Sequence, residues 1–85
     1  MDASTLSQAL AIADAAPSVR EAAAALRAAY ASLRVVVVDA FDMREEQPAA
    51  VGSKRQLYFG ASDGHCWTVT ADGANAAGLF IAERA

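Results

Sequence analysis

The stretch Arg55-Gln56-Leu57-Tyr58-Phe59-Gly60-Ala61-Ser62-Asp63-Gly64-His65-Cys66-Trp67-Thr68-Val69-Thr70 decides how this chain folds. β-Branched and aromatic residues flank Asp63-Gly64, a pair that tolerates the positive φ angles of a tight hairpin turn. A two-residue turn predicts Ser62 opposite His65, Ala61 opposite Cys66, Gly60 opposite Trp67 and Phe59 opposite Thr68. Side chains alternate along a strand, so the hairpin divides into two unlike surfaces. Leu57, Phe59, Ala61, Cys66 and Thr68 form one; Tyr58, Gly60, His65, Trp67 and Val69 form the other.

Upstream, Val35-Val36-Val37-Val38 is strongly β-forming and predicts a strand running to about Met43. Arg44 to Lys54 reads as a loop, with Pro48 and Gly52 as breakers and a weak attraction between Glu45-Glu46 and Lys54-Arg55 at its stems. Closing that loop with Arg44 opposite Arg55 sets Phe41 against Tyr58, and Asp39 against Gly60. Asp39, Phe41, Tyr58, His65 and Trp67 then share one sheet face, aromatic with polar handles, as expected of a ligand or partner surface. Val36, Val38, Ala40, Leu57, Phe59, Ala61 and Cys66 share the other, which is apolar and suited to receive helices.

Two helices precede the sheet. Thr5 and Gln8 have capping-box spacing for a helix to about Ala15, ended by Ala16-Pro17. Ser18 and Glu21 start a second, with Val19, Ala22, Ala23, Leu26, Tyr30 and Leu33 on its inner face. Arg20, Arg27 and Arg34, seven apart on the outer face, read as a solvated stripe. Downstream, Asp72 caps a short helical turn through Ala77, Gly78 stops it, and Leu79 to Ala82 forms a last buried strand before the polar tail Glu83-Arg84-Ala85. A turn at Asp72-Gly73 is the weaker alternative, since Ala74 to Ala77 is poor strand material. The expectation is a single α+β domain over residues 1–85: two N-terminal helices on one face of a mainly antiparallel sheet of about four strands.

Composition limits the functions available. Hydrophobic residues make up 55% of the 85, yet many are alanines that bury little area. The core must rest on few large side chains: Leu26, Tyr30, Leu33, the valines 35–38, Phe41, Leu57 to Phe59, Trp67 and Leu79 to Ile81. Cores this small are often supplemented by a partner, and a second copy of the chain is the expected one. A net charge of −3 argues against nucleic acid, which needs clustered cations. No apolar run approaches the roughly 20 residues of a membrane span. With no evident signal peptide and a single cysteine, Cys66, the expected compartment is the cytoplasm. The alanine-rich, lysine-poor composition resembles that of proteins from high-GC bacteria.

Catalytic motifs are incomplete. Gly60-Ala61-Ser62-Asp63-Gly64 matches G-x-S-x-G, but a nucleophile elbow needs a helix next, and a strand-like run follows. Ser62 and His65 bracket the turn without an orienting acid or oxyanion donors. His65 and Cys66, as strand neighbours, point apart and cannot readily share a metal; Cys66 is expected in the core. Asp39 and Asp42 likewise fall on opposite faces of an unbroken strand, leaving Asp39 as a carboxylate among apolar neighbours. The expectation is a non-enzymatic interaction module without cofactor or metal, binding itself as a homodimer or another protein through the aromatic face. A small-ligand site around Asp39, Tyr58, His65 and Trp67, in an accessory or carrier protein, is the alternative. A small enzyme ranks third.

Overall fold

A computed structural model describes residues 1–84. Helix α1, Ala3–Ala15, starts at Asp2, whose Oδ1 accepts from the Thr5 N–H at 2.7 Å. The expected Thr5–Gln8 box does not form, because Asp2 caps just upstream and uses Thr5 as its donor. Helix α2, Val19–Ala29, begins as expected: Ser18 Oγ accepts from the Glu21 N–H at 3.1 Å and donates to Glu21 Oε2 at 3.2 Å. It ends at Tyr30, short of Leu33, and residues 31–33 turn into the sheet.

Among the described residues the sheet has five strands: β1 Arg34–Val37, β2 Ala50–Val51, β3 Arg55–Ser62, β4 Trp67–Thr70 and β5 Gly78–Glu83. The order is β1-β5-β3, with β2 and β4 side by side along the remaining edge of β3. Strand β5 runs antiparallel to β3 and parallel to β1, so the α+β sheet is mixed and not purely antiparallel. The run Leu79-Phe80-Ile81-Ala82 is buried throughout, the pattern of a strand covered on both faces. Gly78 lets it enter, because a Cβ there would collide with the Arg34 carbonyl oxygen. The connection to β5 is a 3₁₀ turn, Gly73–Asn75, with Asp72 Oδ1 accepting from the Ala74 N–H.

This order corrects the expected pairing of β1 with β3. Gly60 faces Gly78 and Tyr58 faces Phe80, so Arg44 is not opposite Arg55, Phe41 does not face Tyr58 and Asp39 does not face Gly60. Strand β1 stops at Val37 rather than Met43, since Asp39 Oδ1 accepts from the Phe41 N–H at 2.7 Å and turns the chain. Residues 40–46 continue as turns, and β2 forms inside the expected loop, with Ala50 opposite Leu57. Arg55 pairs with Glu83, not with the glutamates at the loop stem. Glu83 belongs to β5, and Ala85 of the expected tail lies outside the described residues.

The β3–β4 hairpin is shifted by two residues. Ser62 faces Trp67, Ala61 faces Thr68, Gly60 faces Val69 and Phe59 faces Thr70. Asp63 is the cause: its Oδ1 accepts from the His65 and Cys66 N–H groups at 2.9 and 2.8 Å, which widens the turn to four residues with Gly64 at φ +97. The bonds from Cys66 and His65 hold the Asp63 carboxyl below its ordinary range. A shift of two leaves the alternation intact, so the residues that stay in β3 and β4 keep their faces, while His65 and Cys66 leave the strand for the turn.

Val35, Leu57, Phe59, Leu79 and Ile81 pack under the helices against Ala9, Ala13, Ala22, Ala23 and Leu26. A second cluster on the far face holds Tyr58, Phe80 and Ala82, backed by Val36, Val38, Ala40, Met43 and Val69. Val36, Val38 and Ala40 therefore lie opposite to their expected face, because β1 takes its register from β5.

Asp14 ties α1 to the β2–β3 turn. Its carboxylate accepts from the N–H groups of Ser53, Lys54 and Arg55 at 2.9, 3.1 and 3.0 Å. Burial works against its charge, but these backbone bonds prevail and hold the carboxyl below its ordinary 3.8. Asp14→Ala should cost about 1–2 kcal/mol in urea unfolding. The folded value lies below the unfolded one, so this contribution is whole above about pH 5 and is lost as pH falls through the folded value. The gap between wild type and Asp14→Ala should narrow accordingly in acid.

Candidate functional site

The far face is the surface the helices leave uncovered. Its centre is dry: Tyr58, Phe80 and Ala82 are buried beneath Ala40 and Met43 of the turns after β1. Its margins are open, with Val36, Val38 and Val69 half-buried and Trp67 38% exposed.

Trp67 is placed by its neighbours. Gly60 has no side chain to fill the far face, and the indole comes within 3.2 Å of where a Cβ on Gly60 would sit. The ring meets Phe80 edge-on, with centroids 6.3 Å apart and planes at 71°. Such a pair adds about 0.5–1.5 kcal/mol beyond its buried area. Tyr58 accepts from Gln56 Nε2 at 3.3 Å, and burial, with the nearby charge of Glu46, pushes its phenol above the ordinary 10.

Of the five candidate residues, the structure brings Tyr58 and Trp67 onto one face, each beside Phe80. The others stand apart. Asp39 is exposed in the turn after β1, level with the Arg55 end of β3. Trp67 pairs with Ser62 at the opposite end, roughly 20 Å away along the strand. Phe41 is 68% exposed, with the Arg44 guanidinium 4.1 Å over its ring. His65 is exposed in the hairpin turn. Among the described residues, the cavity that holds Asp39 and the one that holds Tyr58 are separate, and neither includes His65 or Trp67.

The chemical motifs resolve into turn structure. Ser62 Oγ accepts from the Gly64 N–H at 3.1 Å, and Gly60 to Gly64 leads from strand to strand with no helix after it. Cys66 is exposed and not in the core, because the wider turn takes it out of the strand. Among the described residues, no three His, Cys, Asp or Glu side chains are grouped to hold a metal ion, and no helix is long and apolar enough to cross a membrane.

Arg27, expected on a solvated helix face, is exposed and also reaches the edge of the sheet. Its Nε and Nη2 donate to Val35 O at 3.2 and 2.8 Å along the outer edge of β1. The sequence signal was its place eight residues before a valine run, which shows only once β1 is known to be an edge. Comparison with protein-family models, curated proteins and solved structures matched none of them.

Trp67 is the only tryptophan, so its emission reports this face directly. Trp67→Ala should destabilise by about 1–3 kcal/mol through lost packing on Gly60 and Phe80, while Phe41→Ala should cost less than about 0.5 kcal/mol. Chemical unfolding of the two variants checks the contrast.

Proposed function

We propose that this chain is a non-catalytic protein-interaction module whose partner is a second copy of itself. The observation that carries the reading is the far face: apolar, opposite the helices, and open at Val36, Val38, Val69 and Trp67. A standard interface takes about 800 Å² from each partner, roughly a sixth of the 4993 Å² this chain exposes.

The outer edge of β1 favours a second copy as the occupant. Arg34 and Val38 donate inward to Ala77 O and Ile81 O, so Val35 and Val37 direct their backbone groups outward. Arg27 covers Val35 O, and the Val37 N–H and C=O have no partner among the described residues. Antiparallel pairing of two β1 strands about Val37 satisfies these groups reciprocally, as two-fold symmetry requires. In that register Val36 meets Val38 of the other copy, joining the two far faces. Val35 falls opposite the other copy's Asp39, which brings Arg27 and Asp39 together with opposite charge.

Light scattering and sedimentation at high micromolar concentration should show a dimer. Val37→Pro removes only an outward N–H and should give a folded monomer. Arg27→Asp and Asp39→Arg should each weaken the dimer, and the double variant should restore it. A wild type that stays monomeric, or a Val37→Pro dimer of unchanged strength, overturns the reading.

A further inference from the structure

We infer that the depression beside Arg55, between the α1–α2 turn and the ends of β3 and β5, is a binding site for a small oxyanion, a phosphate ester or a carboxylate. It has a volume of about 470 Å³ and is lined by Pro17, Ser53, Lys54, Arg55, Glu83 and Arg84.

The starting observation is an under-served guanidinium. Arg55 is 3% exposed, yet its Nε and Nη1 are both enclosed without a hydrogen-bond acceptor. Nε lies 3.0 Å from Glu83 Oε1, which gives an ion pair without the direction of a hydrogen bond. Glu83 is itself more than half exposed, so its charge is largely screened by water. A buried cation served this poorly is costly, and an acceptor that brings its own negative charge offsets that cost.

The surroundings suit such an acceptor. Lys54, Arg55 and Arg84 set three cations against the single carboxylate of Glu83 around the depression, in a chain whose net charge is −3. Lys54 is the chain's only lysine. Asp14 stands close by, but its oxygens are already engaged by the N–H groups of Ser53, Lys54 and Arg55. Arg84 is held in place by its N–H to Lys54 O at 2.8 Å and its Nη1 to Gly52 O at 3.0 Å. Further guanidinium donors remain for a ligand, and paired arginine and lysine donors match oxyanion geometry.

The test is a two-dimensional NMR titration of the full chain with inorganic phosphate, and separately with succinate, at constant ionic strength. Saturable shifts should centre on the amides of Ser53, Lys54 and Arg84, which line the depression, and extend to the Arg55 guanidinium N–H groups. Saturation by phosphate alone assigns a phosphate ester, and saturation by succinate alone a carboxylate. Lys54→Ala and Arg84→Gln lie at the surface and should fold, and each should weaken binding about three- to tenfold. Shifts that fail to saturate, that chloride reproduces at equal ionic strength, or that both variants leave unchanged would mean an adventitious ion only and overturn the site.

Discussion

Strand β3 is hydrogen-bonded along both edges, and everything else in the molecule follows from that. With β5 on one side and β2 and β4 on the other, its residues have no freedom to rotate. Leu57 and Phe59 must go under the helices, and Tyr58 and Gly60 must go to the far face. Strand β5 takes the same alternation from β3, and β1 takes it from β5. Because β5 fills the middle, β1 is displaced to the outside and keeps an unpaired edge.

The helices enforce a close but thin cover. Ala9, Ala13, Ala22 and Ala23 are fully buried, so helix and sheet approach closely while few methylenes leave water. Leu26, Leu57, Leu79 and Ile81 then carry most of the burial on this side, at about 1.5–3 kcal/mol each. Polar contacts fix the geometry that the small core leaves loose. Asp2 and Ser18 set the helix starts, Asp63 sets the hairpin turn, and Asp14 joins α1 to the β2–β3 turn. The far face gets a partial cover from residues 40–46, which seals Tyr58 and Phe80 and leaves the valines of β1 beside an open edge. Arg27 shields that edge at Val35, which limits strand addition to the Val37 end and disfavours indiscriminate pairing.

What was legible in the sequence was parity, and what was not was long-range order. The alternation around Asp63-Gly64 placed Tyr58 and Trp67 together, and it survived a register error because that error was a shift of two. Helices capped by local residues were readable to within a turn. The parallel pairing of β1 with β5 was not, since Val35 to Val38 and Leu79 to Ala82 are equally suited to the central position. Gly78 carried the clue as a glycine at a strand start, but it reads equally well as a helix stop. The unexpected neighbour of β1, and the turn that Asp39 makes after Val37, together misplaced Asp39 and Phe41. Asp14 had a signal of its own: an acidic residue in the last turn of α1 opposes the helix dipole and so implies another use. Arg55 had none, because Lys54-Arg55 looks like any charged loop stem until Pro17 and Glu83 enclose it.

Backbone amide exchange along β1, measured in dilute solution, tests the strand order most directly. With β5 inserted between β1 and β3, the Val36 and Val38 N–H groups point inward and should exchange slowly, while that of Val37 points outward and should exchange fast. Slow exchange at Val37 together with fast exchange at Val36 would reverse the two edges of β1, and the unpaired edge on which self-association rests would not exist.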